Sequence, residues 1–123
     1  MATKTQTSGY KASANFQIIS PFKVRRVADN VRRRPYTEAV AILEHLPHRG
    51  AKMIKKVVES AAANALYANK NLDEDMLYIK ELRVDEGPRL RRVWFRARGR
   101  ADLIQKRMSH ITVVVDEINA TGA

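Results

Sequence analysis

Eight cations stand between Glu86 and His110: Arg89, Arg91, Arg92, Arg96, Arg98, Arg100, Lys106 and Arg107. Only two acids, Glu86 and Asp102, oppose them, which leaves the stretch with a net charge of +6. The chemistry open to such residues is grip. Guanidinium forks match pairs of phosphate oxygens, while the interleaved Leu90, Val93, Trp94 and Phe95 offer flat apolar surface to unpaired bases. The stretch has too little apolar surface to offset the entropy of ordering it, and its cations repel one another. An anionic partner must complete it.

Other reactive groupings are weaker. His45 and His48 lie three residues apart beside Glu44, a spacing that could face a metal, but Pro47 interrupts the helix and no third ligand is near. They read as surface histidines. Ser109 and His110 are adjacent in a strand-like run, so their side chains point to opposite faces and cannot act as nucleophile and base. Asp73-Glu74-Asp75 and Asp85-Glu86 sit next to turns and read as exposed acids. Phosphate loops, dinucleotide glycine fingerprints, nucleophile elbows and metalloprotease helices are absent from the sequence. The reading is therefore of a non-enzyme with no cofactor and no metal.

The length of 123 residues fits one domain. A formal charge of +10 points to a polyanionic partner. Thr37 to Gly87 holds seven cations and nine acids, so the basic surface belongs to the two flanks. No run reaches the ~20 apolar residues of a spanning helix, and the first residues lack the apolar core of a signal peptide. A cytoplasmic protein with no membrane partner is expected, and the lack of cysteine agrees with a reducing compartment.

The elements that must position the cations follow from periodicity. Residues 1–9 are small and polar and read as a flexible tail; 10–118 form the single domain, and 119–123 a second tail. Ala12, Ala14, Phe16 and Ile18 alternate as one buried face of a strand. Ser20 as cap and Pro21 at the first helical position start a helix, whose core face is Val24, Val27, Ala28 and Val31. Pro35 separates it from a second helix with Tyr36, Ala39, Val40, Ile42, Leu43 and Leu46 as its apolar stripe. From Arg49 to about Asn69, the strongest pattern predicts the core helix, with Ala61, Ala62 and Ala65 small enough for a close neighbour and Lys52, Lys55, Lys56 and Glu59 on its wet side. Leu77 and Ile79 are out of phase with Leu82 and Val84, as a bulge would make them. Ser109 to Ile118 is the most β-prone segment. If it pairs with Leu77–Val84, the basic residues between them must project from the sheet.

Ser20 to Asp29 (SPFKVRRVAD), Lys55 to Ala65 (KKVVESAAANA) and Val84 to Val115 (VDEGPRLRR, then RARGRA and SHITVVV) resemble the bacterial-type large-subunit ribosomal protein of the L-twenty-two family. The likeness runs in unbroken order from about Tyr10 to Glu117. It implies an α+β fold with three helices packed on a small antiparallel sheet and a long protruding β-hairpin, which would cover about residues 82–99. It also implies a structural role: binding ribosomal RNA, supporting subunit assembly, and lining the polypeptide exit tunnel near its macrolide pocket. The implied partners are large-subunit ribosomal RNA, neighbouring ribosomal proteins and the nascent polypeptide. The hairpin tip is expected at Pro88, Arg89, Leu90, Arg91, Arg92 and Val93. RNA contacts are expected from Lys11, Lys23, Arg25, Arg26, Arg32 and Arg34 on the body. On the arm and beside it they are expected from Arg89, Arg91, Arg92, Trp94, Arg96, Arg98, Arg100, Lys106, Arg107 and His110. Arg33 stands where the family commonly has glycine, which argues against a left-handed cap there. Trp94-Phe95 departs from a pair that commonly ends in proline, and one of the two rings is expected on a base or wedged between RNA helices, with a core contact as the alternative. The competing reading is a free nucleic-acid-binding or RNA-chaperone module that works outside a ribosome.

Overall fold

Ser109–Glu117, the segment richest in β-branched residues, lies at the centre of a three-stranded antiparallel sheet and is designated β5. On one side it pairs with β1 (Tyr10–Gln17), and on the other with β2 (Leu77–Glu86). This computed structural model describes residues 9–118. The N-terminal tail expected over 1–9, Gly9 excepted, and the C-terminal one over 119–123 lie outside the described residues.

Three helices cover one face of that sheet: α1 (Pro21–Ala28), α2 (Tyr36–His45) and α3 (Arg49–Ala68). Period-two alternation puts Ile111, Val113 and Val115 of β5 on the covered face, with Leu77, Ile79, Leu82 and Val84 beside them. These β2 residues all point inward because the register slips between Ile79 and Glu81, so Lys80 is the bulge the phase change predicted. On the opposite edge Ala12 and Ala14 face the core, and α3 lies against β1 with the buried small residues Ala61, Ala62 and Ala65. Asn64 Nδ2 fastens the two elements by donating to the Lys11 carbonyl at 3.0 Å.

Three local expectations need correction. The alternation of β1 fails at Phe16, which has φ +59 at a register shift after Ala14 and leaves Phe16 and Ile18 exposed while Ile19 turns inward. Ser20 occupies the N-cap position of α1 but its side chain makes no cap hydrogen bond. Helix α1 stops at Ala28, well before Pro35, and the chain then turns through Arg33 at φ +61. A left-handed residue thus stands where glycine would be the easier choice, and Arg33 adopts it with its side chain in solvent.

The rest of the chain leaves the body. β3 (Leu90–Phe95) and β4 (Ala101–Lys106) form a separate two-stranded antiparallel ribbon, running from Leu90 opposite Lys106 to Phe95 opposite Ala101. Six residues per strand span roughly 20 Å. From Leu90 to Lys106, every residue is exposed except the half-buried Leu90 and Ile104. The architecture is α+β: three helices on a small antiparallel sheet, with a protruding hairpin.

Candidate nucleic-acid interface

The hairpin does not turn where the resemblance implied. The tip was expected at residues 88–93, yet Leu82–Glu86 is already paired with Val113–Ser109, and the Gly87 amide continues that ladder by donating to the Met108 carbonyl at 2.9 Å. Gly87, Pro88 and Arg89 oppose only Arg107 and Met108, so this is an irregular step in the ladder rather than its end. The reversal comes at Arg96–Arg100, closed by the Arg96 amide on the Arg100 carbonyl at 2.6 Å. Arg98 and Gly99 carry the left-handed angles the turn needs, φ +63 and +74. The expected hairpin bounds of 82–99 therefore become 90–106. Pro88, Arg89, Leu90, Arg91, Arg92 and Val93 lie at the root and along the first arm, with three arginines, Arg96, Arg98 and Arg100, at the tip.

Residues directly opposite in an antiparallel pair share a face, which divides the ribbon in two. One face carries Leu90, Arg92 and Trp94 with Asp102, Ile104 and Lys106. The other carries Arg91, Val93 and Phe95 with Ala101, Leu103 and Gln105. Trp94 is 56% exposed and Phe95 77%, so neither ring is in a core. Being neighbours in a strand, they face opposite ways. Arg96 lies over Trp94 at 5.5 Å and pairs with Asp102 at 2.8 Å, which keeps the indole beside a guanidinium on an open surface. Arg89 donates to Gln105 across the root at 3.0 Å.

The body uses some of its arginines on itself. β2 is an edge strand, and two of its outward carbonyls are covered from α1 and the turn that follows it. Arg25 donates to Val84 through Nε and Nη2, at 3.2 and 3.0 Å, and Arg32 donates to Leu82 through Nε at 3.0 Å. The Arg34 carbonyl accepts from the Ile79 amide at 2.9 Å, while its guanidinium donates to Asn30 and pairs with Glu38. Arg32 also pairs with Asp29. These contacts blunt an edge that would otherwise invite pairing with another chain. Arg25, Arg32 and Arg34 thus each use part of their donors within the fold, while Lys11, Lys23 and Arg26 are exposed with no carboxylate partner among the described residues.

At the root, Phe22 lies between two cations, with the guanidinium carbons of Arg25 and Arg107 at 5.9 and 5.8 Å from its ring centre. His110 Nδ1 accepts from the Phe16 amide at 3.0 Å, and the two rings meet edge to face at 4.8 Å. Ser109 is fully buried and its hydroxyl donates to the Ile19 carbonyl at 2.7 Å. The two neighbours face opposite ways, so no nucleophile and base are assembled. His45 and His48 are both exposed.

Sequence reading gave Lys52 and Lys56 no part beyond the wet side of α3, and Arg49 none beyond its start. The structure sets Arg49 beside Lys23, Arg26 and His48 in one hollow and beside Lys106 and Arg107 in another. The signal available in the sequence was their spacing of three and four, which places all three on one helix face. No helix among the described residues is long and apolar enough to cross a membrane.

Comparison with known proteins agrees with this geometry. Residues 12–116 match the family model described as Ribosomal protein L22p/L17e. A large ribosomal subunit protein uL22 from Treponema denticola is 59% identical over 113 residues, covering 92% of this chain and 96% of its own. The uL22 protein of Treponema pallidum is 52% identical, covering 92% and 91% respectively. That of Borrelia hermsii is 57% identical over 98 residues, covering 80% of this chain and 82% of its own.

Proposed function

The chain belongs to the Ribosomal protein L22p/L17e family, and from that membership we infer that it is a structural constituent of the cytoplasmic large ribosomal subunit, held there by ribosomal RNA. It is not an enzyme. Residues 10–118 act as one unit, with a helical body that docks on RNA and an arm that threads between RNA segments toward the wall of the polypeptide exit tunnel. In this reading the residues nearest the nascent chain are those of the turn, Arg96, Arg98 and Arg100. Binding supports subunit assembly, because the arm joins RNA segments that must come together.

One observation carries this reading: the ribbon is exposed on both faces and presents both rings and cations. A lone two-stranded hairpin is at best marginally stable in water. Charged to this degree, it becomes ordered against a surface that supplies phosphates to the guanidinium groups and base faces to Trp94 and Phe95. Phosphate contacts position the protein, and the shape of the folded RNA selects the site. The contacts come from Lys11, Lys23 and Arg26 on the body, from Arg89, Arg91, Arg92, Arg98, Arg100, Lys106 and Arg107 on the arm and its root, and from the half-buried His110.

Trp94 is the sole tryptophan, so its fluorescence reports on the arm directly. Adding large-subunit RNA to the purified protein should quench it in a salt-dependent manner, and the protein should follow the large subunit through a salt wash on sedimentation. Quenching with the protein left in the upper fractions would favour a free module, and unchanged fluorescence would refute RNA binding by the arm. For the tunnel location, shortening the turn at Arg96–Arg100 should alter macrolide sensitivity while leaving the body folded; unaltered sensitivity counts against it.

A further inference from the structure

Two irregularities meet where the arm joins the body, and no cation accounts for either. Phe16 adopts φ +59, a backbone state that its side chain disfavours, in the gap between the Ala14–Ile111 and Gln17–Ser109 pairs, where Asn15 and Phe16 have no partner in the ladder. Gly87 opens the irregular step from which the arm leaves, yet its φ is not left-handed, so a glycine here supplies room rather than conformational freedom.

The imidazole of His110 uses that room. A Cβ at residue 87 would stand 3.2 Å from both Cε1 and Nε2 of the ring, and 3.2 Å from the Met108 Cβ, so the first step of the arm rests its backbone on the ring edge. The other ring nitrogen belongs to the body: Nδ1 accepts from the Phe16 amide at 3.0 Å, and the Phe16 ring meets the imidazole edge to face at 4.8 Å. One half-buried side chain therefore bridges the edge of the body and the root of the arm.

We propose that His110 is a positioning residue for the arm: held between the Phe16 amide and the Gly87 backbone, it fixes the direction in which the ribbon leaves the body before RNA arrives. The joint holds only while Nδ1 carries no proton. An imidazolium has a donor on each nitrogen and no acceptor, so the Phe16 amide would then face an N–H and the bridge would part. The charges around the ring are few. Across the ladder His110 faces Asp85 of β2, whose carboxylate accepts from Arg83 at 3.1 Å. From β1 the adjoining residues are the uncharged Asn15, Phe16 and Gln17, and at the root the nearest charged positions are Glu86, opposite Ser109, and Arg107. The helices cover the other face of the sheet. The consequence for binding rests on the ribosomal RNA reading above; the joint itself does not.

The chain has no cysteine, so Tyr67→Cys at the exposed end of α3 and Leu103→Cys on the exposed ribbon carry one pair of spin labels in the full-length protein, and pulsed electron resonance reads the spread of body-to-arm distances. Leu103 lies roughly 10 Å beyond the root, so a swing of about 20° moves its label by roughly 3–4 Å. The labelled protein with His110 intact should give a narrow distribution at about pH 8 that broadens by roughly 3–4 Å on going to about pH 5, the range over which imidazoles gain a proton. His110→Phe keeps a ring against Gly87 and removes the acceptor, so its distribution should be broad throughout and indifferent to pH. Equal widths for the two proteins at the upper pH, or a distribution that pH does not move with His110 intact, would overturn the proposal. So would His110→Phe broadening over the same pH range, because another group would then be the one titrating. At about pH 8 the His110→Phe protein should bind large-subunit RNA about threefold to tenfold more weakly, as fewer arms are aimed, at an unchanged salt slope because no phosphate contact is lost. Equal affinity, or a shallower slope, would overturn the positioning role even where the distances differ. Should wild type itself show no salt-dependent binding to this RNA, the ribosomal reading fails, while the distances still decide the joint.

Discussion

Replacing Arg25 and Arg32 with methionine separates arginines that hold the fold from arginines that hold RNA. Methionine keeps most of the apolar stem and removes every donor, so the double variant exposes the carbonyls of Val84 and Leu82 along the open edge of β2. A hydrogen bond from a charged group is worth about 1.5–3 kcal/mol, and water can partly replace it at this half-buried edge, so about 1–1.5 kcal/mol per arginine is the working figure. The pair then costs roughly 2–3 kcal/mol. For a domain of this size each kcal/mol shifts the melting temperature by about 4 °C or more, which gives a fall of roughly 8–12 °C. Thermal unfolding by circular dichroism measures it directly. Urea unfolding should show a lower midpoint at unchanged slope, because the denatured chain is not altered in compactness. The salt slope for RNA binding should stay at the wild-type value. A variant that melts within a degree or two of wild type but binds RNA with a slope shallower by about 0.7–0.9 per arginine would place both side chains on RNA and refute the reasoning.

Ser109→Ala removes the buried donor to Ile19 and leaves that carbonyl unpaired, at a cost of about 1–3 kcal/mol seen as a lower urea midpoint; a change below a few tenths would mean the bond contributes nothing net. Arg33→Gly relieves a left-handed non-glycine residue at a cost of about 1 kcal/mol, offset in part by the freer unfolded chain. The expected outcome is a stability gain between zero and about 1 kcal/mol, and a clear loss would show that the Arg33 side chain matters. Burial, with the charges of Glu74 and Glu59, raises the Tyr36 hydroxyl above its ordinary value of 10.0. The folded state therefore holds that proton more tightly than the unfolded one, and the stability involved is fully present below pH 10 and lost as pH rises through the folded value. Wild type should lose urea resistance above pH 10 more steeply than Tyr36→Phe; parallel curves would contradict this.

Much of the body was legible because its signals are local. The three and four spacing of Ile54, Val57, Val58, Ala61 and Ala65 defines α3 without reference to anything distant, and all five are buried. The phase change between Ile79 and Leu82 announced the bulge at Lys80. Composition alone pointed to a polyanion, since no folding of this chain removes its net charge of +10. The alternation of β1 misled at Phe16 because a backbone irregularity, held by His110 from 94 residues away, turns that side chain outward.

The site shows the same division more sharply. The sequence by itself determined that cations and rings lie between two pairing strands and that they must leave the sheet. Where the arm reverses was decided by register: two irregular steps, at Lys80 and at Gly87–Arg89, set which residues of β3 and β4 meet, and a strong turn dipeptide at the first opportunity lost to a ladder already committed on both sides. Which arginines remain available was likewise decided in three dimensions. Arg25 and Arg32 turn part of their donors to carbonyls 59 and 50 residues away, while Arg49 lies where three elements bring their cations together. An arginine has one composition and many reaches, and only the packed backbone determines whether its fork meets a carbonyl of its own chain or stays free for a phosphate.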